Sequence, residues 1–108
     1  QREKQDETCH FEGMTIHVQR HQVFLDNELV ELTGMEFRLL VLLAGAPGQV
    51  FNRDQVLNVL RGTDADIYSR SIDILVSRLR HKIGDQPKQV KFIRTLRGAG
   101  YTFVAKNK

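Results

Sequence analysis

Apolar positions fall into two regimes along the chain. Between residues 9 and 31 they come in short runs: Phe11, then Met14-Thr15-Ile16-His17-Val18, then Val23-Phe24-Leu25, then Leu29-Val30. Glu12-Gly13 and Asp26-Asn27 separate them with turn chemistry. This stretch predicts a small antiparallel sheet. From residue 32 the spacing becomes helical. Thr33 stands three residues before Glu36, the spacing of a capping box, and FRLLVLLAGA follows, apolar nearly all round. A helix of that kind belongs at the centre of a core, and Pro47-Gly48 is expected to stop it. Gln49-Val50-Phe51 reads as a short strand. Asn52 then caps a second helix over 53–60, with Gln55 at the box position and Gly62 ending it.

A third helix is expected from about Ser69 or Ser71 to Ile83, closed by Gly84. Val90 to Leu96 is rich in β formers, Arg97-Gly98-Ala99-Gly100 is a tight turn, and Tyr101 to Val104 returns. That is a hairpin with glycines at its tip. The order is sheet, three helices, hairpin, so the predicted fold is α+β, a winged helix-turn-helix. In that arrangement the last helix enters the major groove of DNA and the hairpin lies beside it.

Placing the third helix on a wheel of about 100° per residue refines this. Ile72, Leu75, Val76, Leu79 and Ile83 form one apolar stripe, expected to be buried against the first helix. The opposite face carries Arg70, Ile74, Ser77, Arg78 and His81, with Arg80 and Lys82 on the flanks. Ile74 is an apolar residue in the middle of a basic, hydrogen-bonding face, which suits a thymine methyl. Arg78 can make a bidentate contact to guanine. Arg70 and Arg80 are expected on phosphates. Asp73 is expected to orient a nearby Arg, such as Arg70 three residues earlier. Arg97 projects from the glycine-flanked turn and suits a narrow minor groove, with Gly98 and Gly100 letting the turn approach the DNA backbone. Lys88, Lys91 and Arg94 add phosphate-seeking charge.

Charge distribution agrees. Residues 1–60 hold five Lys and Arg against nine Asp and Glu, whereas residues 61–108 hold eleven against four. A basic half on a small domain points to a polyanion. The 108 residues, 41% apolar and 27% charged, suffice for one domain with a single core. The longest apolar stretch, 39–46, is too short to span a membrane. QREKQDE at the start has no apolar core for a signal peptide, and the absence of an initial Met suggests a piece of a longer protein. Cys9, the single cysteine, fits a reducing compartment. His10, His17, His21 and His81 are scattered, and neither they nor Cys9 make a catalytic or metal-binding constellation. We expect no enzyme, no metal and no cofactor.

The strings LTGMEFRLLVLLA (32–44), FNRDQVLNVLRG (51–62), RSIDILVSRLRHKIG (70–84) and FIRTLRGAGYTFV (92–104) resemble the OmpR/PhoB family of response-regulator effector domains, and most of all its OmpR, RstA and CpxR branches. The resemblance spans roughly residues 10–104. It implies a four-stranded N-terminal sheet, three helices and a C-terminal hairpin. It also implies a cytoplasmic two-component regulator whose receiver domain, phosphorylated by a sensor histidine kinase, would precede residues 1–8 as linker, leaving 9–108 as the DNA-binding domain. The family's base-contacting positions fall on Ile74, Ser77 and Arg78. Its phosphate contacts fall on Arg70, Arg80 and Thr95, with Lys82 added from its place on the flank, and its wing arginine on Arg97. The loop carrying Arg61, Gly62, Thr63, Asp64 and Asp66 resembles the segment that contacts RNA polymerase. Several members carry a basic residue where this chain has Ser77. Implied partners are double-stranded DNA, as tandem repeats, RNA polymerase and the kinase, with no membrane and with the isolated domain monomeric. Two other readings share the fold: the DNA-binding domain of a ToxR-like membrane-tethered regulator, and a winged helix that binds protein only.

Overall fold

A computed structural model describes residues 8–61, 69–85 and 89–106, without the side chains of Ser69 and Arg70. Four strands, β1 (Thr8–Phe11), β2 (Met14–His17), β3 (Gln22–Leu25) and β4 (Glu28–Val30), form an antiparallel sheet in sequence order. The β3–β4 connection is the two-residue turn expected at Asp26-Asn27. Both residues have positive φ, 51° and 71°, which matches the right-handed twist of the flanking strands. β1 begins at Thr8, inside the stretch expected to be linker, because Thr8 pairs with His17 in the ladder. Residues 1–7 lie outside the described residues.

Helix α1 (Gly34–Ala44) starts with the expected capping box: Thr33 Oγ1 accepts from the Glu36 N–H at 3.2 Å, and Glu36 Oε1 accepts from the Thr33 N–H at 2.9 Å. The helix ends at Ala44 with Gly45 as its cap, two residues before Pro47. Helix α2 (Arg53–Arg61) opens with a second box, in which Asn52 Oδ1 accepts from Gln55 N–H at 2.8 Å and Gln55 Oε1 from Asn52 N–H at 2.9 Å. Helix α3 (Ser69–Lys82) closes in a Schellman turn, with Asp85 N–H on the Arg80 carbonyl, Gly84 N–H on the His81 carbonyl and Gly84 at φ 80°. The hairpin is β5 (Ile93–Leu96) and β6 (Gly100–Phe103).

One core joins these parts. Phe11, Met14, Ile16 and Val23 from the sheet meet Phe37, Leu39, Leu40 and Leu43 of α1, Val56 and Leu60 of α2, and Phe92, Ile93 and Phe103 of the hairpin region. Ile72, Val76, Leu79 and Ile83 of α3 are buried in it as the wheel required, while Leu75, at the edge of the stripe, is only half-buried. No described helix is long and apolar enough to cross a membrane.

Two expected strands are shorter than their composition suggests. Of residues 49–51 only Phe51 bridges to Tyr101, through both backbone hydrogen bonds, at 2.8 and 2.9 Å. Phe92 lies before β5 because the buried Asp85 carboxylate takes the backbone N–H groups of Lys91, Phe92 and Ile93 at 2.6 to 3.2 Å. The carboxylate takes the Lys91 and Phe92 donors, and the ladder begins at Ile93, opposite Phe103.

Candidate nucleic-acid interface

With its apolar stripe buried, α3 turns its other side outward. Ser77, Arg78 and His81 are exposed on it, and Ile74 keeps 51% of its surface. An apolar side chain that stays half in water while Ile72, Val76 and Leu79 of the same helix are buried is not held there by packing. Arg78 and Ser77 flank it, so the face offers one methyl-bearing surface between hydrogen-bonding groups. The α3 backbone includes Arg70. Residues 62–68, with the loop residues Gly62, Thr63, Asp64 and Asp66, and also Lys88, lie outside the described residues; Arg61 is exposed at the end of α2.

Beside this face stands the hairpin, with Arg97, Gly98 and Ala99 exposed at its tip. Gly98 has φ 76° and open space around the position of a Cβ, so its role is conformational. Gly100 has a different reason from the one expected. A Cβ there would lie 2.1 Å from the Phe51 carbonyl oxygen, so the glycine lets β6 press against residues 51 and 52 of the chain itself. The approach it permits is internal. A cleft of about 540 Å³ runs between the start of α2 and the hairpin, lined among others by Arg53, Asp73, Thr95, Arg97 and Tyr101.

Several charged groups of α3 have partners that the sequence did not disclose. Asp73 meets an Arg of another helix, while the side chain of Arg70, the neighbour expected for it, lies outside the described residues. Arg53 on α2 donates Nε to Asp73 Oδ1 at 3.1 Å and sets Nη2 2.8 Å from Asp73 Oδ2, and the Tyr101 hydroxyl donates to Oδ1. Those hydrogen bonds, Tyr101's first and Arg53's second, hold the Asp73 carboxyl below its ordinary range. Burial, and then the carboxylate, push the Tyr101 phenol up. Arg80, half-buried, donates through Nε and Nη2 to the Ile93 carbonyl at 3.3 and 3.1 Å, and through Nη2 to Thr95 Oγ1. It therefore ties α3 to β5. Lys82 sets its ammonium 2.7 Å from Oε1 of Glu36, which is 2% exposed. Burial alone would raise the Glu36 carboxyl, but Lys82 and the Thr33 N–H outweigh it and hold it below its ordinary value. Neither the Arg53–Asp73 nor the Lys82–Glu36 pairing carried a signal in sequence: the partners lie 20 and 46 residues apart.

The chain matches the family model described as "Transcriptional regulatory protein, C terminal" over residues 26–103. It is 45% identical over 92 residues to the probable transcriptional regulator ycf27 of Porphyridium aerugineum, covering 83% of this chain and 38% of that one. It is 37% identical over 105 residues to the regulatory protein VirG of Rhizobium rhizogenes, covering 96% and 44%. The chain thus spans less than half the length of these relatives. Among solved structures it superposes on the Klebsiella pneumoniae RstA DNA-binding domain in complex with RstA box, with a TM-score of 0.81 and 39% identity over 91% of this chain and 97% of that one. The DNA-binding domain of CpxR from E. coli gives 0.77 and 33% over 93% and 98%. With four strands, three helices and a hairpin in the order these domains share, the chain belongs to the family of C-terminal domains of transcriptional regulatory proteins.

Proposed function

We propose that the chain binds double-stranded DNA sequence-specifically, as the effector domain of a two-component response regulator, with α3 in the major groove and the hairpin as a wing in the minor groove. The observation that carries this is the outward face of α3, where half-exposed Ile74 sits among Ser77 and Arg78 on a helix whose other face is buried. Ile74 meets a thymine methyl, while Ser77 and Arg78 read base edges. Arg70, Arg80, Lys82 and Thr95 face phosphates, with Arg80 already braced on β5 and the charge of Lys82 shared with Glu36. The RstA domain, similar along nearly its whole length, is described in complex with its DNA box.

Within a longer regulator, residues 1–7, before β1, serve as linker from a receiver domain addressed by a sensor histidine kinase, and residues 61–66 face RNA polymerase. The chain is then a cytoplasmic binding module and carries no catalytic step. Selection from a random duplex library should yield a defined site, and the affinity for that site should fall steeply with salt as phosphate contacts release counterions. A salt-independent affinity, or no enriched sequence, would refute the reading. For the wing, Arg97→Ala should cost more on A·T-rich than on G·C-rich flanks, because narrow minor grooves concentrate negative potential. Equal losses would leave Arg97 a diffuse phosphate contact.

A further inference from the structure

We propose that Asp73 is a positioning residue that locks the wing to the recognition helix, so that helix and wing meet DNA as one preset unit. The inference rests on the DNA-binding reading. It begins from an apparent misfit. A carboxylate next to Ile74, on the helix that faces a polyanion, opposes binding unless something else consumes its charge. Here both oxygens are consumed. Arg53 holds Asp73 through two nitrogens, and the Tyr101 hydroxyl takes the remaining approach to Oδ1. A bidentate guanidinium fixes direction as well as charge.

These partners sit where they control the wing. Tyr101 lies on β6, and its backbone N–H and carbonyl pair with Phe51, two residues before Arg53. The contacts close a ring, from Asp73 on α3 to Tyr101, across the backbone to Phe51, along the chain to Arg53, and back to Asp73. Gly100 makes the ring possible, since any Cβ there would collide with Phe51. A second brace stands farther along the same helix. Arg80 is seven residues beyond Asp73, about 10 Å along the axis and on nearly the same side. It grips the other strand, at Ile93 and Thr95. One helix therefore holds both strands of the hairpin at points two turns apart, which suppresses both sliding and rocking. Arg97 at the tip is carried at a set displacement from Ile74, Ser77 and Arg78. Wing ordering is completed in folding and costs nothing further when DNA binds.

The alternative role for Asp73, simple repulsion of phosphate, has the opposite sign. The test uses Asp73→Asn, Tyr101→Phe and Arg97→Ala, alone and in pairs, on the duplex selected by the wild type. Wild-type binding with a steep salt slope is measured first, and its absence would defeat the DNA-binding reading itself rather than this inference. With binding in place, Asp73→Asn and Tyr101→Phe should each weaken it about three- to tenfold. In the Arg97→Ala background the same changes should have less than a twofold effect, because a wing without its arginine has nothing left to position. Free of DNA, Tyr101→Phe should lower the backbone order parameters of residues 97–99. Tighter binding of all duplexes by Asp73→Asn would overturn the proposal, as would losses that add fully to that of Arg97→Ala, or unchanged wing order. If Asp73→Asn fails to fold, Tyr101→Phe, which removes one oxygen, carries the cycle alone.

Discussion

Gly100 and Gly98 stand two residues apart in one turn and should respond very differently to the same methyl group. At Gly98 an added Cβ meets open space, so Gly98→Ala should cost only the left-handed backbone penalty, about 1–2 kcal/mol. At Gly100, with φ 139°, it would meet the Phe51 carbonyl and the Asn52 Cα, both backbone atoms that cannot swing aside. Strain and overlap together should make Gly100→Ala cost on the order of 2–5 kcal/mol, and thermal melts of the two variants would show the difference. Equal melting temperatures would mean that Phe51 yields. Glu36 offers a residue-scale test of another kind. Its folded-state carboxyl lies below its ordinary value of 4.5, so it contributes stability that is present above about that pH and lost as pH falls through the lower folded value. The difference in unfolding free energy between wild type and Glu36→Gln should therefore be flat from pH 7 to 5 and shrink steadily below 4.5. A difference independent of pH would show that Glu36 acts through shape alone.

At the scale of elements, what was legible in the sequence is what local chemistry decides. Thr33 with Glu36 and Asn52 with Gln55 are three residues apart, and both boxes close as their spacing requires. The period of Ile72, Val76, Leu79 and Ile83 gave the buried face of α3, and with it the exposure of Ile74. What was not legible are partners joined only by folding. Asp73 could be assigned an Arg from its charge, but not Arg53 on another helix. Nothing in the local sequence marks Asp85, which is buried and organises the entry to β5. Arg80 illustrates the consequence. On sequence it is one more cation on the flank of α3, yet it is spent partly on Ile93 and Thr95. Arg78 has no such tie among the described residues. Arg78→Ala should thus cost about 1–3 kcal/mol on the selected site and relax preference at one base pair. Arg80→Ala should weaken all sequences similarly, lower the salt slope by about 1, and also loosen the wing. Relaxed base preference in Arg80→Ala, with none in Arg78→Ala, would reverse the two roles.

For the whole molecule, the deciding quantity is how much surface is left for association. Among the described residues the exposed large apolar side chains are Leu29, Val50, Val59, Ile74, Val90 and Val104, and they come from the sheet, two separate connections, α2, α3 and the segment after β6. Single apolar residues distributed in this way are ordinary surface rather than a dimer patch. The chain should therefore be monomeric in solution. A lone winged helix nonetheless reads few bases and buries a modest area, so its affinity for one site should be limited. Two copies on direct repeats about one helical turn apart would face the same side of the duplex and could touch. That arrangement makes the DNA the template for pairing. Sedimentation should give one species without DNA, a one-to-one complex on a single-site duplex, and a two-to-one complex on a tandem duplex with repeats in phase. Moving one repeat by about half a turn should abolish any cooperativity between copies while leaving each site bound. A stable dimer without DNA would contradict this, because the self-association would then have to come from the domain itself rather than from the DNA that aligns two copies.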